Sequence, residues 1–158
     1  MRLLVQLALS IFLATPAWAT IARVQKADAY PGNSVALTGT TAGNFLLVGA
    51  SWADTTSDPA VSDTASNTWN ALPVLRGPTG QAAVSIKLFY ATNIKGGNTT
   101  ITLSSSPADV GIHAAEYSGV ATGTALDVTN TAVASGGTTT PTSGSFTPTT
   151  GDLIYAYL

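Results

Sequence analysis

Phe45-Leu46-Leu47-Val48 opens the run 45–52 and is apolar at every position. A strand with one wet face alternates apolar and polar residues. A run without alternation therefore predicts a strand at the centre of a sheet, covered above and below. Gly43-Asn44 supplies the turn in front of it. Working outward, candidate strands fall at 21–26 and 34–37 on one side. On the other they fall at 61–63, 69–75, 84–92, 99–103, 110–117, 126–133, 143–146 and 153–158. Turn-forming groups separate them: Pro31-Gly32-Asn33, Asp58-Pro59, Gly77-Pro78, Gly96-Gly97-Asn98, Ser118-Gly119 and Gly136-Gly137. No window sustains a capped 3.6-residue period. Many short strands with this punctuation predict an all-β, antiparallel β-sandwich of jelly-roll-like type. Within it, Val84, Ile86 and Leu88 are expected to face the core, with Ser85 and Lys87 pointing outward.

The first nineteen residues read differently. Arg2 precedes an apolar run from Leu3 to Ala14, followed by Pro16 and the small-residue site Ala17-Trp18-Ala19. This is the charged, apolar, small order of a secretory signal peptide, with cleavage expected after Ala19. A spanning helix needs about 20 apolar residues, so a membrane anchor is the poorer reading. Two segments follow: 1–19 as leader and 20–158 as one β-sandwich domain, secreted or displayed at the cell surface.

Composition narrows the function classes. The chain has no cysteine, which excludes thiolate metal sites and disulfide staples. A domain of this size buries about two-thirds of its unfolded surface and needs no staples. Beyond Arg2 the basic residues are Arg23, Lys26, Arg76, Lys87 and Lys95, outnumbered by the eight acidic residues. They form no basic patch, so nucleic acid is not an expected partner. Nor is a membrane span expected after leader removal.

An internal repeat is visible: 34–46 and 143–154 each read as strand, Thr-rich turn, Gly with Asn or Asp, then an apolar strand. The second copy ends on Leu153-Ile154-Tyr155-Ala156-Tyr157-Leu158, apolar on both faces and followed by no turn or charge. Such a strand exposes a pairing edge, and self-association through it is one expectation. Another is that the natural protein continues beyond Leu158.

Four patterns carry a resemblance. They are Gly43-Asn44-Phe45-Leu46-Leu47-Val48; Val61-Ser62-Asp63 with Asn67-Thr68-Trp69; Phe89-Tyr90-Ala91-Thr92-Asn93 through Leu103; and Glu116-Tyr117-Ser118-Gly119-Val120. Together they resemble a loose group of uncharacterised β-sandwich modules in secreted and surface proteins of environmental bacteria. The resemblance implies fold and location, and brings no activity or catalytic residues. Read physically, Asp63 and Asn67 flank a hairpin turn, Gly96-Gly97-Asn98 forms another, and Gly119 permits a tight exit from the Glu116 strand.

Chemistry is sparse. His113 is the sole histidine, and Glu116, three residues along the same strand, points to the opposite face, so the two do not pair. No serine sits in a Gly-x-Ser-x-Gly elbow. Glu116 is the sole glutamate and the one position where a buried acid is expected; a glycosidase needs a second carboxylate about 5–9 Å away. Asp54, Asp58, Asp63 and Asn67 form the densest acidic segment, either a calcium site or solvated turn residues, with none of the EF-hand spacing. Trp52 and Trp69 bracket it and are candidate stacking platforms for sugar rings, or core residues. Asn98-Thr99-Thr100 is a formal glycosylation sequon. The expected function is a non-enzymatic extracellular module for adhesion, structural spacing or polysaccharide binding, its partner a polysaccharide or surface protein. The alternatives are a glycan hydrolase domain using Glu116 and a self-associating surface subunit.

Overall fold

The computed structural model describes residues 20–53, 56–77, 84–105, 107–127, 129, 145, 147 and 152–155. Among the described residues the chain forms nine strands and no helix. They are β1 (Ala22–Ala29), β2 (Ser34–Thr40), β3 (Phe45–Trp52), β4 (Val61–Asp63), β5 (Asn70–Ala71), β6 (Leu75–Arg76), β7 (Ser85–Ala91), β8 (Gly97–Leu103) and β9 (Gly111–Ser118). The larger sheet runs β1-β9-β3-β7-β5, with β6 also pairing β7, and the smaller runs β2-β8-β4. All pairings are antiparallel. The described residues are all-β, in two antiparallel layers of a β-sandwich. The leader and the larger part of the second repeat copy lie outside the described residues.

The run 45–52 occupies the centre of the larger sheet, hydrogen-bonded to β7 on one side and β9 on the other. Its register fixes the core. Leu46 lies between Glu116 and Ala91, Val48 between Ala114 and Phe89, and Ala50 between Ile112 and Lys87; Trp52 lies opposite Ser85. The smaller sheet contributes Val35, Leu37, Ile101 and Leu103 to the same cluster. The bulk of Trp52 is accommodated by the small, fully buried Ser85 across from it.

The other face of the larger sheet is also covered. Phe45, Leu47, Ala115 and Tyr117 are buried there beneath Ile21, Val120, Ala125, Leu153 and Tyr155. Phe45 stacks on Tyr90 with ring centroids 5.9 Å apart. Both faces of β3 are therefore dry over Phe45–Val48, the physical reason its sequence does not alternate there.

Several expectations need correction. In β7 the inward set is Ser85, Lys87, Phe89 and Ala91, not Val84, Ile86 and Leu88; Val84 precedes the strand and is exposed. Val84, Ile86 and Leu88 are the more apolar set, but the outer face of the larger sheet is itself partly covered, with Tyr90 packed there, so alternation alone does not decide the facing of β7. Pairing with β3 places Phe89, the largest of them, beside Val48. Lys87 on this face carries its ammonium out to Asp58 at 2.6 Å, 5.2 Å over the Phe89 ring. The segment 69–75 breaks into β5 and β6, two short edge strands. The turns after Asp63 and around Gly97 are not hairpins: each carries the chain from one sheet to the other. Residues 126, 127, 129, 145 and 153–155 belong to no strand, and the rest of 126–133, 143–146 and 153–158 lies outside the described residues. Leu153 and Tyr155 instead pack on the outer face of the larger sheet.

Candidate functional site

Glu116 is 0% exposed and sits on the inter-sheet face of β9. Its Oε2 accepts from Gln25 Nε2 at 2.6 Å; its Oε1 accepts from the Thr41 backbone N–H at 2.8 Å and from Asn44 Nδ2 at 2.6 Å. Gln25 Nε2 also donates to the Thr38 carbonyl at 3.1 Å. One carboxylate thus ties β1, the end of β2 and the β2–β3 turn together, where the chain passes between sheets. Ionised carboxylates accept several such bonds well, and each is stronger than a neutral one. A glycosidase acid must touch a glycosidic oxygen, whereas among the described residues Glu116 meets these internal donors.

A second network builds the turn after β4. Asp63 Oδ2 accepts from Trp69 Nε1 at 2.6 Å, and the Asp63 side chain takes the Asn67 N–H at 3.3–3.4 Å and Thr99 Oγ1 at 3.3 Å. Asn67 Oδ1 accepts the Lys95 N–H at 2.7 Å, anchoring the turn to the β7–β8 connection. Ser66, at φ +57°, supplies the left-handed step inside it. Asp58, exposed, pairs instead with Lys87. The candidate calcium set is therefore divided: Asp63 and Asn67 hold a turn, Asp58 holds an ammonium, and Asp54 lies outside the described residues. Among the described residues no group of three or more His, Asp or Glu side chains could hold a metal.

The two tryptophans separate as well. Trp52 is 1% exposed inside the sandwich and turns no face to solvent. Trp69 is half-buried, its ring against the core cluster and its N–H held by Asp63.

Among the described residues a cleft open to solvent lies on the outer face of the larger sheet, beside its covered half. There the side chains shrink. Gly49 lies opposite His113, and Ser51 lies opposite Gly111. The result is a shallow cleft of about 520 Å³ lined by Asp28, Tyr30, Ser51, Gly111, His113 and Tyr155. A Cβ added to Gly111 would stand 3.2 Å from the Tyr30 ring and 3.3 Å from Ser51 Oγ, so glycine lets both side chains close in on the floor of the cleft. Tyr30 stands at the rim, 72% exposed. His113 donates from Nδ1 to Asp28 across the β1–β9 pair, and its ring stacks on Tyr155 at 6.4 Å. This hydrogen bond holds the Asp28 carboxyl below the usual carboxylate range against the opposing effect of burial, with a further contribution from Lys26 Nζ at 3.3 Å.

His113 and Glu116 do face opposite ways, one toward the cleft and one toward the core. The partner of His113 is Asp28, 85 residues earlier. No local spacing signals that pair; only the β1–β9 register brings it about. Gln25 and Asn44 were likewise silent in the sequence.

Compared with protein-family models, curated proteins and solved structures, the chain matches none.

Proposed function

We propose that this chain is an exported, non-enzymatic β-sandwich module, jelly-roll-like in its sheet-switching connections, whose task outside the cell or at its surface is adhesion, structural spacing or polysaccharide binding. The export reading rests on the leader 1–19, with its Arg2, apolar and Ala17-Trp18-Ala19 order. The observation that carries the non-enzymatic reading is the complete engagement of Glu116, the sole glutamate, by three donors inside the fold. Asp63 is occupied in the same way by a turn. Acids that hold strands and turns together serve shape, and the shape leaves a shallow, open depression of the kind that suits an extended polymer better than an enclosed small molecule.

Two assays test this. Retention of the protein on insoluble polysaccharides or on surface extracts measures attachment, and absence of retention on all of them overturns it. A turnover screen of the parent beside Glu116→Gln measures hydrolysis. Turnover by the parent that disappears in the variant, with stability unchanged, would restore the hydrolase reading.

A further inference from the structure

We infer that the cleft lined by Asp28, Tyr30, Ser51, Gly111, His113 and Tyr155 is a subsite for a neutral hexose unit of a polysaccharide, an inference that rests on the polysaccharide branch of the function proposed above. A pyranose ring offers an apolar C–H face and an equatorial fringe of hydroxyls. Its recognition needs an aromatic surface beside a few fixed polar groups. The cleft supplies both. Among the described residues Tyr30 is the most exposed of the large apolar side chains that stand out in solvent, and its ring edge stands over Gly111. Tyr155, stacked on His113, forms the opposite wall.

The polar groups are positioned in advance. Asp28 and His113 lie on adjacent strands and are bonded to each other, so the imidazole is oriented before any ligand arrives. With Nδ1 engaged by the carboxylate, Nε2 is the ring nitrogen left for a sugar hydroxyl, and the Ser51 hydroxyl lines the same cleft. Preorganisation of this kind reduces the ordering cost of binding. The cleft is open to solvent rather than enclosed, so a bound unit can remain part of a longer chain.

Charge decides between sugar classes. The chain carries a net charge of −2, and an ionised aspartate lines the cleft itself. Lys26 lies beside Asp28 but is already paired with it. A uronic-acid or sulfated polymer would meet this field at a disadvantage, whereas a neutral hexose would not.

The single histidine makes the test direct, because its imidazole resonances report on the cleft without ambiguity. The protein is titrated with cellopentaose, mannopentaose and a galacturonic acid oligomer while those resonances are followed by NMR. Tyr30→Ala, which removes an exposed ring and leaves the core untouched, is titrated in parallel with Trp69→Phe. The inference expects saturable His113 shifts with a neutral oligosaccharide, at least tenfold weaker binding in Tyr30→Ala, and little change in Trp69→Phe. Retention of neutral glycan with a silent His113 and an unaffected Tyr30→Ala overturns the cleft while leaving the polysaccharide reading intact. Preference for the acidic oligomer overturns the neutral class. Failure to bind any glycan, soluble or insoluble, removes the subsite together with the polysaccharide branch.

Discussion

Replacing Glu116 by glutamine keeps the shape of the side chain and changes only its hydrogen bonding, which makes it the sharpest probe of how the two sheets are joined. The substituted amide could still accept from the Thr41 N–H and Asn44 Nδ2 through its oxygen. Its nitrogen would then face Gln25 Nε2, a donor against a donor. Turning the Gln25 amide over offers no escape, because its oxygen would then oppose the Thr38 carbonyl. One bond to a charged acceptor, worth about 1.5–3 kcal/mol, is lost, and the remaining two weaken toward neutral strength. Relief from burying a carboxylate offsets part of this. The net expectation is about 2 kcal/mol for Glu116→Gln. For Glu116→Ala, which leaves all three donors without an acceptor, it is about 4 kcal/mol. In a domain of this size each kcal/mol lowers Tm by about 3 °C, so the glutamine variant should melt about 6 °C lower. Urea titration followed by the fluorescence of Trp52 and Trp69 gives the free energies. Adding Gln25→Ala in both backgrounds should show a coupling of about 1 kcal/mol or more between the two positions. A glutamine variant within about 0.5 kcal/mol of the parent would refute the clamp.

Four other expectations follow from the same geometry. Phe89→Ala should cost about 3–5 kcal/mol and Leu88→Ala about 1 kcal/mol, measured by urea unfolding; equal costs would contradict the facing of β7. Lys87→Met should change stability by no more than about 1 kcal/mol, because the stem keeps its place and the lost partner, Asp58, is half-exposed. Gly119 has φ +77° and its added Cβ would meet the Thr20 carbonyl oxygen at 2.5 Å, so Gly119→Ala should lower Tm clearly, by strain of about 1–3 kcal/mol. The Asp28 carboxyl titrates below its ordinary range, so its bond to His113 stabilises fully above the unfolded value of about 3.9 and is lost as pH falls through the lower folded value. Stability measured from pH 6 down to pH 3 should therefore fall more steeply in the parent than in Asp28→Asn, and identical slopes would count against the pair.

The central strand was legible from its residues alone. The four positions from Phe45 to Val48 lack a wet face, and only a strand covered on both sides can use such a run. The turn after Asp63 was half legible: its side chains do bond to nearby N–H groups, as Asp and Asn in turns commonly do. That the same turn changes sheets was invisible, because local chemistry fixes a bend and not the layer into which the chain next pairs.

Most strand positions up to Ser118, the turns between them and the double coverage of Phe45–Val48 are thus written in short-range patterns, which period and residue type carry without knowledge of distant partners. The facing of β7, the threefold grip on Glu116, and the meeting of Asp28 with His113 belong to the tertiary structure. Each depends on register between strands up to 91 residues apart, and register is set by the joint packing of both layers rather than by either strand alone.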